Sequence, residues 1–92
     1  MEIVEKYKER VASFALSYRE EVNDHIIDVM ASVCMTRDKV RIGGSFVQSI
    51  VNNDLLEAVV RADAQCCKKL KIITLARQYC FLSEEIYWEQ EN

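Results

Sequence analysis

The sequence predicts an all-α fold, and three observations carry the prediction. The 92 residues contain no proline, the strongest helix breaker. Apolar residues recur at steps of three and four through most of the chain. Polar punctuation (Asn23-Asp24, residues 36–44, Asn52-Asn53-Asp54 and Ser83) falls at intervals of helical length. The expectation is a single domain over 1–92, a small bundle of four to five helices with two long antiparallel members. A chain this short buries only a modest core, so a homo-oligomer is expected.

The first helix is predicted over 2–22. Ile3, Tyr7, Val11, Phe14, Tyr18 and Val22 form its stripe, and Glu2 and Glu5 sit at the positive end of its dipole. Asn23 or Asp24 caps a second helix over 24–35 that holds Ile26, Ile27, Met30, Val33 and Cys34. No glycine or proline separates the two, so their continuity is open. Residues 36–44 read as the one loop of any length. Gly43 and Gly44 allow φ > 0 and close backbone approach, and Ser45 is a natural N-cap for a helix over 45–52.

Asn53 or Asp54 caps the next helix. Leu55, Val59, Ala62, Cys66, Leu70, Ile73 and Cys80 then fall at helical steps, predicting one long helix from 54 to 82, bent near Asp63. At 1.5 Å per residue that helix spans roughly 40 Å, more than so short a chain covers alone, which is the main argument for a second copy. Ser83 caps a short last helix with Tyr87 and Trp88.

Charge and composition exclude several classes. The net charge of −3 argues against a general nucleic-acid binder and is too small for a DNA mimic. The first residues lack the basic start and apolar run of a secretion signal, and no stretch approaches a membrane span, so a cytoplasmic location is expected. Reduced cysteines are expected in that location.

Residues 43–63 resemble a group of small, largely uncharacterised phage and prophage helical accessory proteins. Their pattern is Gly-Gly-Phe-x-x-Ala-Val-Leu-x-Asn-Asp-Leu-x-x-Ala-x-x-Arg-Ala-Asp. Gly43, Gly44, Phe46, Val47, Ile50, Val51, Asn53, Asp54, Leu55, Ala58, Arg61, Ala62 and Asp63 carry the likeness. This chain differs by the extra Ser45, by Ile42 in place of a proline, and by lacking the later Tyr-Asn-x-x-Pro and Cys-Trp-Gly segments. The resemblance implies a phage origin and an accessory role, as small accessory phage proteins often blunt host defence, and it does not imply an enzyme.

Five constellations bear on function. Arg37, Lys39 and Arg41 alternate on a segment taken as extended, and the amides of Gly43, Gly44 and Ser45 open a helix, a combination suited to phosphate. The competing reading is a glycine turn beside a solvated basic loop, and the chain has no Walker spacing. Arg61, Lys68 and Lys71 share a side if the long helix is continuous, otherwise an ordinary solvated face. Asn53 and Asp54 cap a helix, with Arg61 pairing Asp54 or Asp63, or else they hydrogen-bond a base or ribose. Cys34, Cys66, Cys67 and Cys80 lack metal-ligand spacing, adjacent Cys66 and Cys67 point to different helix faces, and Cys34, Cys66 and Cys80 read as small core residues, so no metal and no cofactor is expected. His25, the only histidine, has no dyad partner near it in sequence, and no acid–base pair supports an enzyme.

The expected function is therefore binding without turnover. The first version is sequestration of a cyclic or other phosphate-bearing signal nucleotide by Arg37, Lys39, Arg41, Gly43, Gly44 and Ser45, completed by Asn53, Asp54, Arg61 and Lys68. The second is inhibition of a host enzyme or polymerase through the acidic, aromatic segment 84–92, where Tyr87 and Trp88 are typical interface anchors. A small transcription regulator is a weaker third, opposed by the charge.

Overall fold

A computed structural model describes residues 2–82, and these are helical with loops and no strand among them. The order is α1 (Glu2–Ser17), α2 (Asp24–Arg37), α3 (Ser45–Val51), α4 (Leu55–Arg61), α5 (Ala64–Lys68) and α6 (Leu70–Tyr79). No helix is long and apolar enough to cross a membrane among the described residues. The predicted last helix, with Tyr87 and Trp88, lies outside them.

α2 is the central element and packs against α1, α3 and α6. Its buried residues Ile26, Met30, Ala31, Val33, Cys34 and Met35 cover more than one face, because neighbours approach it from several sides. They meet Tyr7, Val11 and Ala15 of α1, Val47 and Ile50 of α3, and Ile72, Ile73 and Ala76 of α6 in one contiguous core.

All-α is correct; the helix count and lengths are not. There are six helices among the described residues, where four or five were expected. α1 stops at Ser17 rather than Val22 because Arg19 enters the left-handed region at φ 58. The Glu20 amide then donates to the Ala15 carbonyl at 3.0 Å and the Arg19 amide to Leu16 at 2.9 Å, a Schellman closure. The same motif ends α2, with Lys39 at φ 63 and Val40 N–H bonded to the Met35 carbonyl at 2.9 Å. It ends α3 as well, with Asn53 at φ 62 and Asp54 N–H on the Ser49 carbonyl at 2.8 Å. In each case a non-glycine residue takes the position that glycine usually fills.

The long 54–82 helix is three short ones. Ala62 is extended, and the Asp63 carboxylate accepts the Cys66 amide at 2.7 Å, restarting the chain as α5. Lys69, at φ −114 and ψ 20, separates α5 from α6. The expected pair of long antiparallel helices is thereby replaced by an arrangement around α2, and the 40 Å helix no longer argues for a second copy.

Two arginines fasten helix ends. Arg37 Nη1 donates to the carbonyls of Ala76 (3.2 Å) and Arg77 (2.7 Å) at the negative end of α6, and its guanidinium lies 4.1 Å from the Phe81 ring centroid. Arg77 donates through Nε and Nη2 to the Val51 carbonyl at the end of α3 (3.1 and 2.9 Å). The Arg77 and Val51 carbonyls lie in the last turns, where a helix terminus leaves acceptors without an intrahelical partner, while the Ala76 carbonyl also accepts the Cys80 amide at 2.9 Å.

Candidate functional site

The basic loop is less available to an anion than its sequence suggests. Arg37 is the last residue of α2 and Lys39 is left-handed, so Arg37, Lys39 and Arg41 do not alternate along an extended strand. The Arg37 side chain is 13% exposed, and its guanidinium is committed to carbonyls and to Asp38 at 2.9 Å. Burial alone would raise the Asp38 carboxyl, but Arg37 and the Tyr7 hydroxyl, which donates at 2.8 Å, hold it below its ordinary value. Lys39 and Arg41 are exposed and make no ion pair with another described residue.

Gly43 packs, and neither glycine is needed for a left-handed bend. Neither has a positive φ. Gly43 N–H donates to Thr36 Oγ1 at 2.9 Å, and a Cβ there would come within 2.7 Å of both Ser32 Oγ and Val47 Cγ1. Gly44 faces open space and is itself the N-cap of α3, without a side-chain cap. Ser45, expected as the cap, is instead the first helical residue, and its carbonyl accepts the Ser49 hydroxyl at 2.9 Å. α3 has only seven residues, so its dipole is short.

The remaining expected ligands divide among separate places. Asn53 closes α3, and Asp54 caps α4 by accepting the Glu57 amide at 3.2 Å. Arg61 pairs with Glu57 one turn earlier (2.8 Å), not with Asp54 or Asp63. Arg61 and Lys68 sit on different helices, so the continuous basic face with Lys71 does not form. Lys68 lines a groove of about 780 Å³ whose apolar residues include Leu16, Val22, Ile26 and Ile27, with Lys69 beside it.

Among the described helices, α4 holds the largest group of exposed large apolar residues. Leu55 is 68% exposed, Leu56 74%, Val59 45% and Val60 70%; only Ala58 of this helix is buried. At 100° per residue the four fall within an arc of about 140°, so they form one stripe. Ile42, in the loop that leads to α3, is 80% exposed as well. Helical periodicity assigns Leu55 and Val59 to the core. The contrary signal lies in the adjacent pairs Leu55-Leu56 and Val59-Val60, too wide a face for a helix with one buried contact side.

A second feature is invisible in sequence. His25 Nε2 lies 2.9 Å from Asp63 Oδ2 and 4.0 Å from Cys66 Sγ. Burial, then Asp63, pushes the Cys66 thiol up to about 12. The Cys66 amide, followed by His25, holds the Asp63 carboxyl below its ordinary value. This is not a nucleophilic triad. Asp63 and Cys66 meet the same ring nitrogen, whereas a relay needs one on each, and the thiol is buried. Cys34 and Cys80 are buried together near the end of α6; the neighbouring thiol and then burial raise Cys34 far above the thiol range.

No protein-family model, curated protein or solved structure matches this chain.

Proposed function

We propose that this protein acts by protein–protein association, without catalysis, through the apolar stripe of α4. The observation that carries the reading is the exposure of Leu55, Leu56, Val59 and Val60 on one short helix. Apolar stripes of this kind are associated with interfaces, because their burial recovers free energy that exposure forfeits.

A second copy of the chain is the occupant that the charges favour. Glu57 and Arg61 border the Val60 edge of the stripe. In an antiparallel twofold pair of α4 helices, like edges meet, so Glu57 of one copy faces Arg61 of the other, and the helix dipoles oppose. The resemblance over 43–63 supports placing the assembly among phage accessory proteins that blunt host defence by binding, in the cytoplasm of the host cell. Capture of a host enzyme by 84–92 is a compatible further step, and that segment lies outside the described residues.

Nucleotide sequestration keeps one specific support, the exposed Lys39 and Arg41 in the loop that leads to Gly44, where a Cβ would meet nothing. It requires phosphate to be held without Arg37 or the Gly43 amide, both already bonded. Loss of affinity in the Lys39→Ala/Arg41→Ala double variant, measured by calorimetry with cyclic nucleotides, is its test.

For the association reading, size-exclusion chromatography with light scattering on wild type and on Leu56→Glu/Val60→Glu decides. A wild-type dimer and a folded monomeric variant support it. A wild-type monomer at high micromolar concentration overturns the choice of a second copy.

A further inference from the structure

We propose that His25, Asp63 and Cys66 form a zinc site that ties the start of α2 to the start of α5. The three donor atoms lie within 4.8 Å of one another. They come from positions 38 and 41 residues apart, brought together by the fold. A tetrahedral zinc, with bonds of about 2.3 Å to sulfur and 2.0–2.1 Å to nitrogen and oxygen, sets sulfur and nitrogen about 3.6 Å apart and nitrogen and oxygen about 3.3 Å apart. The observed 4.0 Å is longer and the observed 2.9 Å shorter than those values by about 0.4 Å each, which the half-exposed His25 ring takes up by moving from Asp63 toward Cys66; the carboxylate and thiol, within 4.8 Å of each other, close toward about 3.6 Å on binding.

The chemistry of the donors points to zinc. Thiolate, imidazole and carboxylate together suit a borderline-soft, four-coordinate ion, whereas calcium and magnesium take oxygen alone. A neutral imidazole, one thiolate and one carboxylate balance the two positive charges. On binding, the thiol proton leaves to solvent, and the neutral His25 ring carries its proton on Nδ1 so that Nε2 is free to ligate, as metal ligands must be deprotonated at the donor atom. Water fills the fourth position.

The carboxylate is already aimed. Asp63 Oδ1 accepts the Cys66 amide at 2.7 Å as the cap of α5, which leaves Oδ2 turned to His25. An outer hydrogen bond that orients a ligand is what established zinc sites use. A second bond, from Asn23 Nδ2 to Gln65 Oε1 at 2.7 Å, holds the same two chain segments together from the neighbouring positions. α5 has five residues and packs chiefly on α6, so a metal tie to α2 would fix an element that little else holds.

The test uses the full chain, stripped with chelator and dialysed against zinc. One zinc per chain is expected, and cobalt in its place should give a thiolate-to-metal absorption in the near ultraviolet. His25→Ala, at an exposed position, and Asp63→Asn, which retains a capping side chain, should each weaken zinc binding about 100-fold or more, since loss of an outer-shell partner alone costs about 10- to 100-fold. Unchanged circular dichroism excludes misfolding as the cause. Cys67→Ser, which alters the exposed neighbouring thiol, should bind like wild type, and zinc should raise the melting temperature of wild type but not of His25→Ala. The proposal is overturned by a stoichiometry far below one, by His25→Ala and Asp63→Asn binding as tightly as wild type, or by zinc capture that depends on Cys67.

Discussion

Gly43→Ala separates a packed corner from a flexible phosphate loop. The added Cβ meets Ser32 Oγ and Val47 Cγ1 at 2.7 Å and Val47 Cβ at 2.9 Å. Ordinary carbon contacts are about 3.5–4.0 Å, so the overlap is roughly 1 Å against two neighbours. Val47 is a buried core residue on α3 and cannot withdraw without moving that helix off α2. Overpacking of this kind costs about 1–3 kcal/mol, and reduced freedom of the unfolded chain returns about 0.4–1 kcal/mol. A net loss of about 1–2 kcal/mol lowers the melting temperature by roughly 5–15 °C at about 4–8 °C per kcal/mol. Gly44→Ala provides the control. It meets nothing within 4 Å and its φ is −72, so its stability should stay within about 0.5 kcal/mol of wild type. Thermal denaturation followed by circular dichroism reads both. If Gly43→Ala melts with wild type, or if the two variants shift equally, the close approach of Gly43 to α2 and α3 is wrong.

Other variants test the caps and charges. Arg37→Ala removes donors to the Ala76 and Arg77 carbonyls and the contact with Phe81, and should lose about 2–3 kcal/mol in urea unfolding. A loss below about 0.5 kcal/mol, an ordinary surface value, would make Arg37 a solvated residue available to ligands. Arg19→Gly relieves a left-handed non-glycine residue and should gain about 0.5–1 kcal/mol, visible as a higher urea midpoint. Asp38 gives a pH dependence. Its folded value lies below its unfolded one, so its contribution is present above about pH 4 and is lost as pH falls through the folded value. Tyr7→Phe removes one donor to that carboxylate; it should cost about 1–2 kcal/mol at neutral pH, and its gap from wild type should narrow in acid.

The class of the fold was legible because helical spacing and the absence of proline leave few alternatives. Asn23 was legible as a cap because its side chain bonds the Ile26 amide at 2.9 Å, a local interaction. The ends of α1 and α2 were not. Arg19 and Lys39 take left-handed positions that sequence reasoning reserves for glycine, and the two glycines sit elsewhere, one of them for close packing. The bend expected near Asp63 is a full break because its carboxylate caps a new helix. The roles of Arg37 and Arg77 depend on carbonyls 40 and 26 residues away, which no spacing encodes. The same holds for His25, whose partners are 38 and 41 residues distant. The α4 stripe was readable as apolar, but burial and exposure differ only in what packs there, and that is decided by the break at Ala62–Asp63.

Sedimentation velocity over the micromolar range, on wild type beside Leu56→Glu/Val60→Glu, tests the central claim most directly. Association through α4 predicts a concentration-dependent dimer for wild type and a folded monomer for the variant. A wild-type monomer throughout, or a variant that dimerises as wild type does, would contradict it.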